Sequence, residues 1–196
     1  FPLNTAQIVL SQEFGETDSL ETKINIAMQK AEQLQLLLDS INADNSKLTP
    51  RMLRYFYAAA TLVYFSNQNA SMKEIAAVLK NPLIRTAMIQ NLSMDAKELL
   101  EEEIDDLNDL TKEGKNGVLE NSDSKIDGIL DRIAWLKTNL YTKIGFNKSA
   151  ESNYNFVELL SKNKVILIKI PEKSFKSRMI RNVIATFFLN KEIASF

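Results

Sequence analysis

One short run near the C-terminus constrains this chain more than any other feature: Lys164-Val165-Ile166-Leu167-Ile168-Lys169-Ile170, following residues 1–150 that read as helix after helix. A lone strand cannot satisfy its own backbone donors and acceptors, so this one is expected to join a sheet whose other members lie elsewhere. Val165 to Ile168 are apolar on consecutive positions, the pattern of a strand covered on both faces in a parallel sheet. Pro171-Glu172 follows, then a helix expected from about Ser174 to Ala194 with Ile180, Val183, Ile184, Phe187 and Phe188 on a wide apolar face. Helix, buried strand and helix in succession are the grammar of an α/β domain. The chain is therefore expected to be an internal piece of a larger protein, with a helical bundle over 1–150 and part of an α/β core over 151–196.

Within the bundle, Ile24, Ala27, Ala31, Leu34, Leu38 and Ile41 form two sevenfold series on a helix near Ser19 to Ile41, a stripe that needs a partner helix. Pro50 opens a second helix, which is expected to bury Leu53, Phe56, Ala60 and Val63 at the centre of the bundle. Ser71 and Glu74 have capping-box spacing ahead of Met72, Ile75, Ala76 and Leu79. Pro82 stops that helix and begins another, with Leu83, Ile84, Ala87 and Ile89 expected inward. Ser93 to Glu113 reads as one acidic helix with nine carboxylates against two lysines and a narrow apolar face of Leu100, Ile104 and Leu107. Gly114-Lys115-Asn116-Gly117 ends it. A last helix over roughly Ser122 to Tyr141, with Ile126, Ile129, Ile133, Leu136 and Leu140 at heptad spacing, completes an expected helical hairpin.

The absence of cysteine and histidine excludes disulfides, thiolate or imidazole metal sites and histidine acid–base chemistry. Gly114 to Gly117 lacks the spacing and hydroxyl of a phosphate-binding loop. Glu172 lacks a partner carboxylate for magnesium. Glu101, Glu102, Glu103, Asp105, Asp106 and Asp109 read as a solvated helix face, since nothing in the sequence cages or desolvates them. No apolar run reaches membrane-spanning length, and residues 1–10 lack the features of a secretion signal; a cytoplasmic location, with membrane association only through a parent or its partners, is expected. Net charge is −1, so no global field draws the chain to nucleic acid. Local cations matter more. Arg51 and Arg54 share nearly one helix face beside Tyr55, and Arg85 opens the fourth helix; these three are the candidate contacts for phosphates or a neighbouring subunit, with internal ion pairing as the competing account. Eight Lys or Arg between Lys162 and Lys191 make a second basic segment. Trp135, Tyr141 and Phe146 suit packing better than base stacking.

The succession RMLRYFYAAATLVYF, SMKEIAAVLKNPLIRTAMI, KIDGILDRIAWLKTNLYTKIGFNKS, NFVELLSKNKVILIKIPEKSF and RNVIATFFLNKEIAS resembles the HerA, FtsK and conjugative coupling-protein ATPases, most of all those of Gram-positive mobile elements. The resemblance covers about Thr49 to the end. It implies a helical domain inserted into a RecA-like core, the chain returning to the sheet through the strand above. It further implies a parent motor, usually a homo-hexamer using ATP and magnesium, that moves DNA in conjugation and type IV secretion, with the helical insertion engaging DNA, a relaxase or an accessory protein. The phosphate loop and the magnesium-binding acids have no counterpart in this sequence, so no catalytic residue is assigned and no cofactor is expected to bind the chain itself. A self-contained helical scaffold or adaptor, its terminal strand pairing across a homodimer, is the competing class.

Overall fold

The computed structural model of the chain describes residues 14–41 and 47–138, with isolated positions 140, 143, 162, 181 and 185. The strand expected at Lys164 to Ile170 and the helix expected from about Ser174 to Ala194 lie outside the described residues, positions 181 and 185 aside. What is described is mainly helical: α1 (Leu20–Ser40), α2 (Pro50–Ser66), α3 (Met72–Lys80), α4 (Pro82–Gln90), α5 (Met94–Leu99), α6 (Glu101–Asn108) and α7 (Asp127–Leu136), with one antiparallel pair, β1 (Thr111–Glu113) and β2 (Leu119–Asn121), between α6 and α7.

The helix starts follow from local chemistry. Ser19, Thr49, Ser71, Asn81 and Ser93 each accept a hydrogen bond from a first-turn backbone N–H, satisfying amides that no helix can pair internally. At Ser71 the Glu74 carboxylate also accepts from the Ser71 N–H, completing the expected capping box. All six positions of the α1 stripe are buried. They lie chiefly on α2, whose Tyr55, Phe56 and every residue from Ala58 to Tyr64 are buried. A helix buried all round is a central one, and α3, α6 and α7 pack around it. The run Ala58-Ala59-Ala60 lets neighbours come close. Gly128 serves the same end, since a Cβ there would sit 3.2 Å from the Met52 sulfur.

Three expectations change. The acidic stretch is two helices, because Leu100 leaves the helical region (φ −113°, ψ 23°) between them; Ala96, Leu100 and Leu107 are all buried, so the break turns both short helices onto one core. The helical hairpin becomes helix, β-hairpin, helix. Asn116 (φ 67°) and Gly117 (φ 71°) take the left-handed conformation that reverses the chain, and Gly114 N–H donates to Val118 O at 2.8 Å. Lys112 then sits opposite Glu120, a favourable cross-strand charge pair. Finally, α4 turns most of its expected face outward: Leu83 (66%), Ile84 (42%) and Ala87 are exposed, Ile89 packs against the core as expected, and Arg85 is 1% exposed. Its inward stripe is Arg85, Met88 and Ile89. On α7, Ile126, Ile129, Ile133 and Leu136 are buried as expected, while Leu140 is exposed.

Candidate functional site

The three arginines singled out from sequence do not form one surface. Arg85 is inside. Its Nη1 donates to Val78 O (2.8 Å) and Leu79 O (3.2 Å), its Nε and Nη2 to Thr111 Oγ1 (3.1 and 2.8 Å), and its Nη2 also to Asn121 Oδ1 (3.1 Å). Thr111 and Asn121 face each other across the hairpin. The planar fork of guanidinium donors thus ties the last turn of α3 to the base of the hairpin. Cations suit helix C-termini, where free carbonyls concentrate negative charge. Burial pushes the Arg85 guanidinium down to about 10, which leaves it charged at neutral pH. A phosphate cannot reach it, so its expected surface role is corrected to an internal one.

Arg51 and Arg54 remain more than half exposed, at 57% and 64%, but face the acidic helix. Arg51 Nη2 lies 2.6 Å from Asp109 Oδ2, Arg51 Nε donates to the Tyr55 hydroxyl, and that hydroxyl donates to Asp109 Oδ2. Lys125 Nζ completes the group at 2.7 Å from Asp109 Oδ1 and donates to Asp109 O at the end of α6. Hydrogen bonds from Lys125, Tyr55 and Arg51, in that order, hold the Asp109 carboxyl well below the usual carboxylate range despite partial burial. A carboxylate so saturated with donors is a poor proton acceptor, and the cluster reads as a tie between α2, α6 and the start of α7. Arg54 makes a looser pair with Asp106 at 3.7 Å.

Two further buried cations escaped the sequence reading. Arg132 donates from Nε to Ile41 O (2.8 Å), joining α7 to the end of α1. Lys30 donates from Nζ to Gln68 O (3.3 Å) and lies 5.9 Å from the Tyr64 ring centroid. The Gln68 amide in turn exchanges hydrogen bonds with the Phe14 backbone at 3.0 and 3.1 Å. Their signal in sequence was a charge falling on an otherwise apolar helical stripe.

Surface cations of a different kind lie on α3 and at the end of α7, which pack together. Lys73 and Lys80 are exposed and seven residues apart on α3, and Lys137 is the half-buried C-cap of α7. Burial, then the charges of Lys80, Lys143 and Lys73, push the Lys137 amine down. The exposed acids Glu74 and Asp131 lie on the same two helices. The acids of α6 make no comparable site: among the described residues no group of acids could hold a metal ion. Glu103 is the one whose carboxyl is pushed up, by burial and then by the charges of Glu102 and Asp106. Among the described residues, no helix is long and apolar enough to cross a membrane. Comparison with protein-family models, curated proteins and solved structures finds no match to this chain.

Proposed function

We propose that the chain is a recognition module from a DNA-translocating ATPase of the HerA and FtsK type, the helical bundle serving as an insertion that engages DNA, a relaxase or an accessory protein. The observation that carries the reading is the order of segments: a bundle centred on α2 (Pro50–Ser66), followed by a sequence with the pattern of a buried strand and a core helix. Segregated charge on the bundle supports it. The exposed acids Glu101, Glu102 and Asp105 on α6 suit a basic protein partner, and the lysines of α3 suit a polyanion. On this reading, residues 151–196 contribute a strand and helix to a RecA-like core, and ATP and magnesium belong to the parent assembly, a homo-hexamer in the cytoplasm.

The test is the parent reading frame and its product. A phosphate-binding loop ahead of Phe1, an acidic strand end after Phe196 and DNA-stimulated ATP hydrolysis by the product are expected. A frame without nucleotide-binding motifs refutes the motor reading. A second reading, a helical scaffold without motor activity, is favoured by one observation: Arg51, Arg54 and Arg85 are all engaged within the chain. It predicts that the isolated chain forms a stable homodimer by sedimentation.

A further inference from the structure

We infer that Asn116, at the tip of the β-hairpin, is a site of spontaneous covalent modification, where the side-chain amide is displaced by the backbone nitrogen of Gly117 at a rate set by opening of the hairpin. The reaction takes only water, so it holds whichever partner the bundle has. Asparagine is among the thermolabile side chains because the nitrogen of the following residue can reach its Cγ, an approach that a Cβ on that residue hinders. Of the residues that follow an asparagine in this sequence, Gly117 alone lacks a Cβ. Both Asn116 and Gly117 are exposed. Among the described residues the Asn116 side chain makes no hydrogen bond. The other asparagine of the hairpin, Asn121, is held at both ends of its amide: Oδ1 accepts from Arg85 Nη2 at 3.1 Å, and Nδ2 donates to Asp123 Oδ1 at 2.8 Å. The pair that suits a left-handed turn is thus also the pair most open to this chemistry.

In the first step the Gly117 nitrogen gives up its proton and bonds to Asn116 Cγ, while the side-chain nitrogen takes a proton and leaves as ammonia, closing a five-membered imide. Water then opens either carbonyl of the ring, giving aspartate or, with the chain rerouted through Cγ, isoaspartate. Water is consumed, ammonia is released, and nothing is oxidised or reduced. The folded turn holds this back. At ψ 27° the Gly117 nitrogen lies on the same side as Asn116's own nitrogen, turned away from Cβ and from the Cγ it would attack. Ring closure therefore requires Asn116 to leave the turn. Little opposes that at the tip, where strands of three residues each are closed by Gly114 N–H to Val118 O; a two-stranded hairpin is marginal by itself, and its anchor is at the base, where Arg85 holds Thr111 and Asn121. Tip opening is then a local event of low free energy. Isoaspartate lengthens the backbone by a carbon where Asn116 and Gly117 turn it, and it adds a carboxylate near Glu113, whose Oε1 lies 4.0 Å from the Cβ position of Gly117. Conversion is one-way and loosens the hairpin.

The experiment ages the whole chain at mildly alkaline pH, folded and in unfolding urea. A glutamate-specific protease releases Gly114–Glu120, and mass spectrometry resolves its asparaginyl, aspartyl and isoaspartyl forms. The unfolded chain is expected to convert Asn116 ahead of every other asparagine, and Gly117→Ala to lose most of that conversion. The folded chain is expected to convert Asn116 roughly ten- to a hundredfold more slowly, in proportion to the open fraction of the hairpin. Lys112→Glu sets like charges opposite each other at Glu120 and is expected to raise the ratio of folded to unfolded rate roughly fivefold. Lys80→Glu, the same charge change on α3, is expected to leave that ratio unchanged, with circular dichroism showing both variants folded. In the isoaspartyl form, separated by anion exchange, hydrogen exchange is expected to be faster in β1 and β2 and unchanged in α2. Any of five results overturns this: equal folded and unfolded rates, no folded conversion over about a hundred unfolded half-lives, Asn121 converting as fast as Asn116 in the folded chain, equal effects of the two charge variants, or an isoaspartyl form whose hairpin exchanges as before.

Discussion

Replacing Arg85 by Met tests whether an internal cation organises the bundle. The stem volume is nearly kept, while the donors to Val78 O, Leu79 O, Thr111 Oγ1 and Asn121 Oδ1 are lost. Hydrogen bonds to a charged donor contribute about 1.5–3 kcal/mol each, so four acceptors set a gross loss of about 6–12 kcal/mol if they added. Opposing this, lowering the guanidinium from its ordinary value to about 10 corresponds to about 3 kcal/mol of desolvation. Bonds sharing one group do not add, and relaxation admits some water. The net expected loss is about 3–5 kcal/mol, the range for stranding one side of a buried charged contact. A domain of this size has a total stability of about 5–15 kcal/mol, so the variant is expected to be marginal.

The assay is urea unfolding followed by circular dichroism, with hydrogen exchange reporting on the hairpin amides. The loss is expected to be flat between pH 5 and 9. A base whose folded value lies below its unfolded one binds fewer protons when folded, so stability rises with pH, but only from about 10 up to the ordinary guanidinium value. Below that window both states carry the charge. Arg85→Lys is expected to recover less than half of the loss, because one ammonium cannot fork between the α3 carbonyls and the Thr111–Asn121 pair. An Arg85→Met midpoint within about 0.5 kcal/mol of wild type, the range of an inconsequential surface change, would refute the reasoning by showing that desolvation cancels every bond.

Asp109→Asn is expected to flatten the acid limb of stability: the folded carboxyl lies below the ordinary 3.8, so its contribution is present above that value and lost as pH falls through the folded one. Parallel acid limbs in wild type and variant would count against the cluster. Glu103 has the opposite sign, its folded value lying above 4.5, so stability falls as pH rises through that window; Glu103→Gln is expected to raise the urea midpoint at pH 7 and not at pH 4, and equal effects at both would refute the burial assignment. Gly117→Ala, at φ 71°, is expected to cost about 1–2 kcal/mol in the urea midpoint, with exchange rising first in β1 and β2; a neutral result would show that the turn relaxes.

How far the residues announced this structure depends on the kind of signal. The stripe of α1, that of α7 as far as Leu136, the capping box at Ser71 and Pro50 in the first turn of α2 rest on nearest-neighbour physics, and they stand where the sequence puts them. The hairpin was also legible, in Asn116-Gly117, but its strands are three residues each with no alternating apolar face, so the acidic helical pattern on one side outweighed the turn. Arg85 was illegible for a different reason. Leu83, Ile84 and Ala87 give α4 a plausible apolar face, and what reverses it is a set of acceptors on Val78, Leu79, Thr111 and Asn121 that only the folded chain assembles. Periodicity reports where apolar groups are dense; it does not report where a buried polar group will find enough partners.

The same distinction governs which cations can act outward. Arg51, Arg54, Arg85 and Arg132 are each bonded within the bundle, two to carboxylates and two to backbone carbonyls. Guanidinium is weakly hydrated and geometrically matched to such acceptors, whereas ammonium is strongly hydrated; these four arginines find acceptors within the bundle even where, as at Arg51 and Arg54, they stay more than half exposed, and Lys30 is a buried lysine that does the same. A search for phosphate contacts that favours arginine therefore selects the cations this fold has already committed. The consequence is quantitative. Arg51→Gln with Arg54→Gln removes two positive charges, leaving Asp106 without its ion-pair partner and Asp109 with Lys125 and Tyr55 alone, and it is expected to lower the urea midpoint. At about 0.2–1 kcal/mol for each partly exposed pair, the expected loss is about 0.4–2 kcal/mol. An unchanged midpoint would mean that these two pairs add nothing to the tie between α2 and α6, and that Tyr55 and Lys125 hold Asp109 without Arg51.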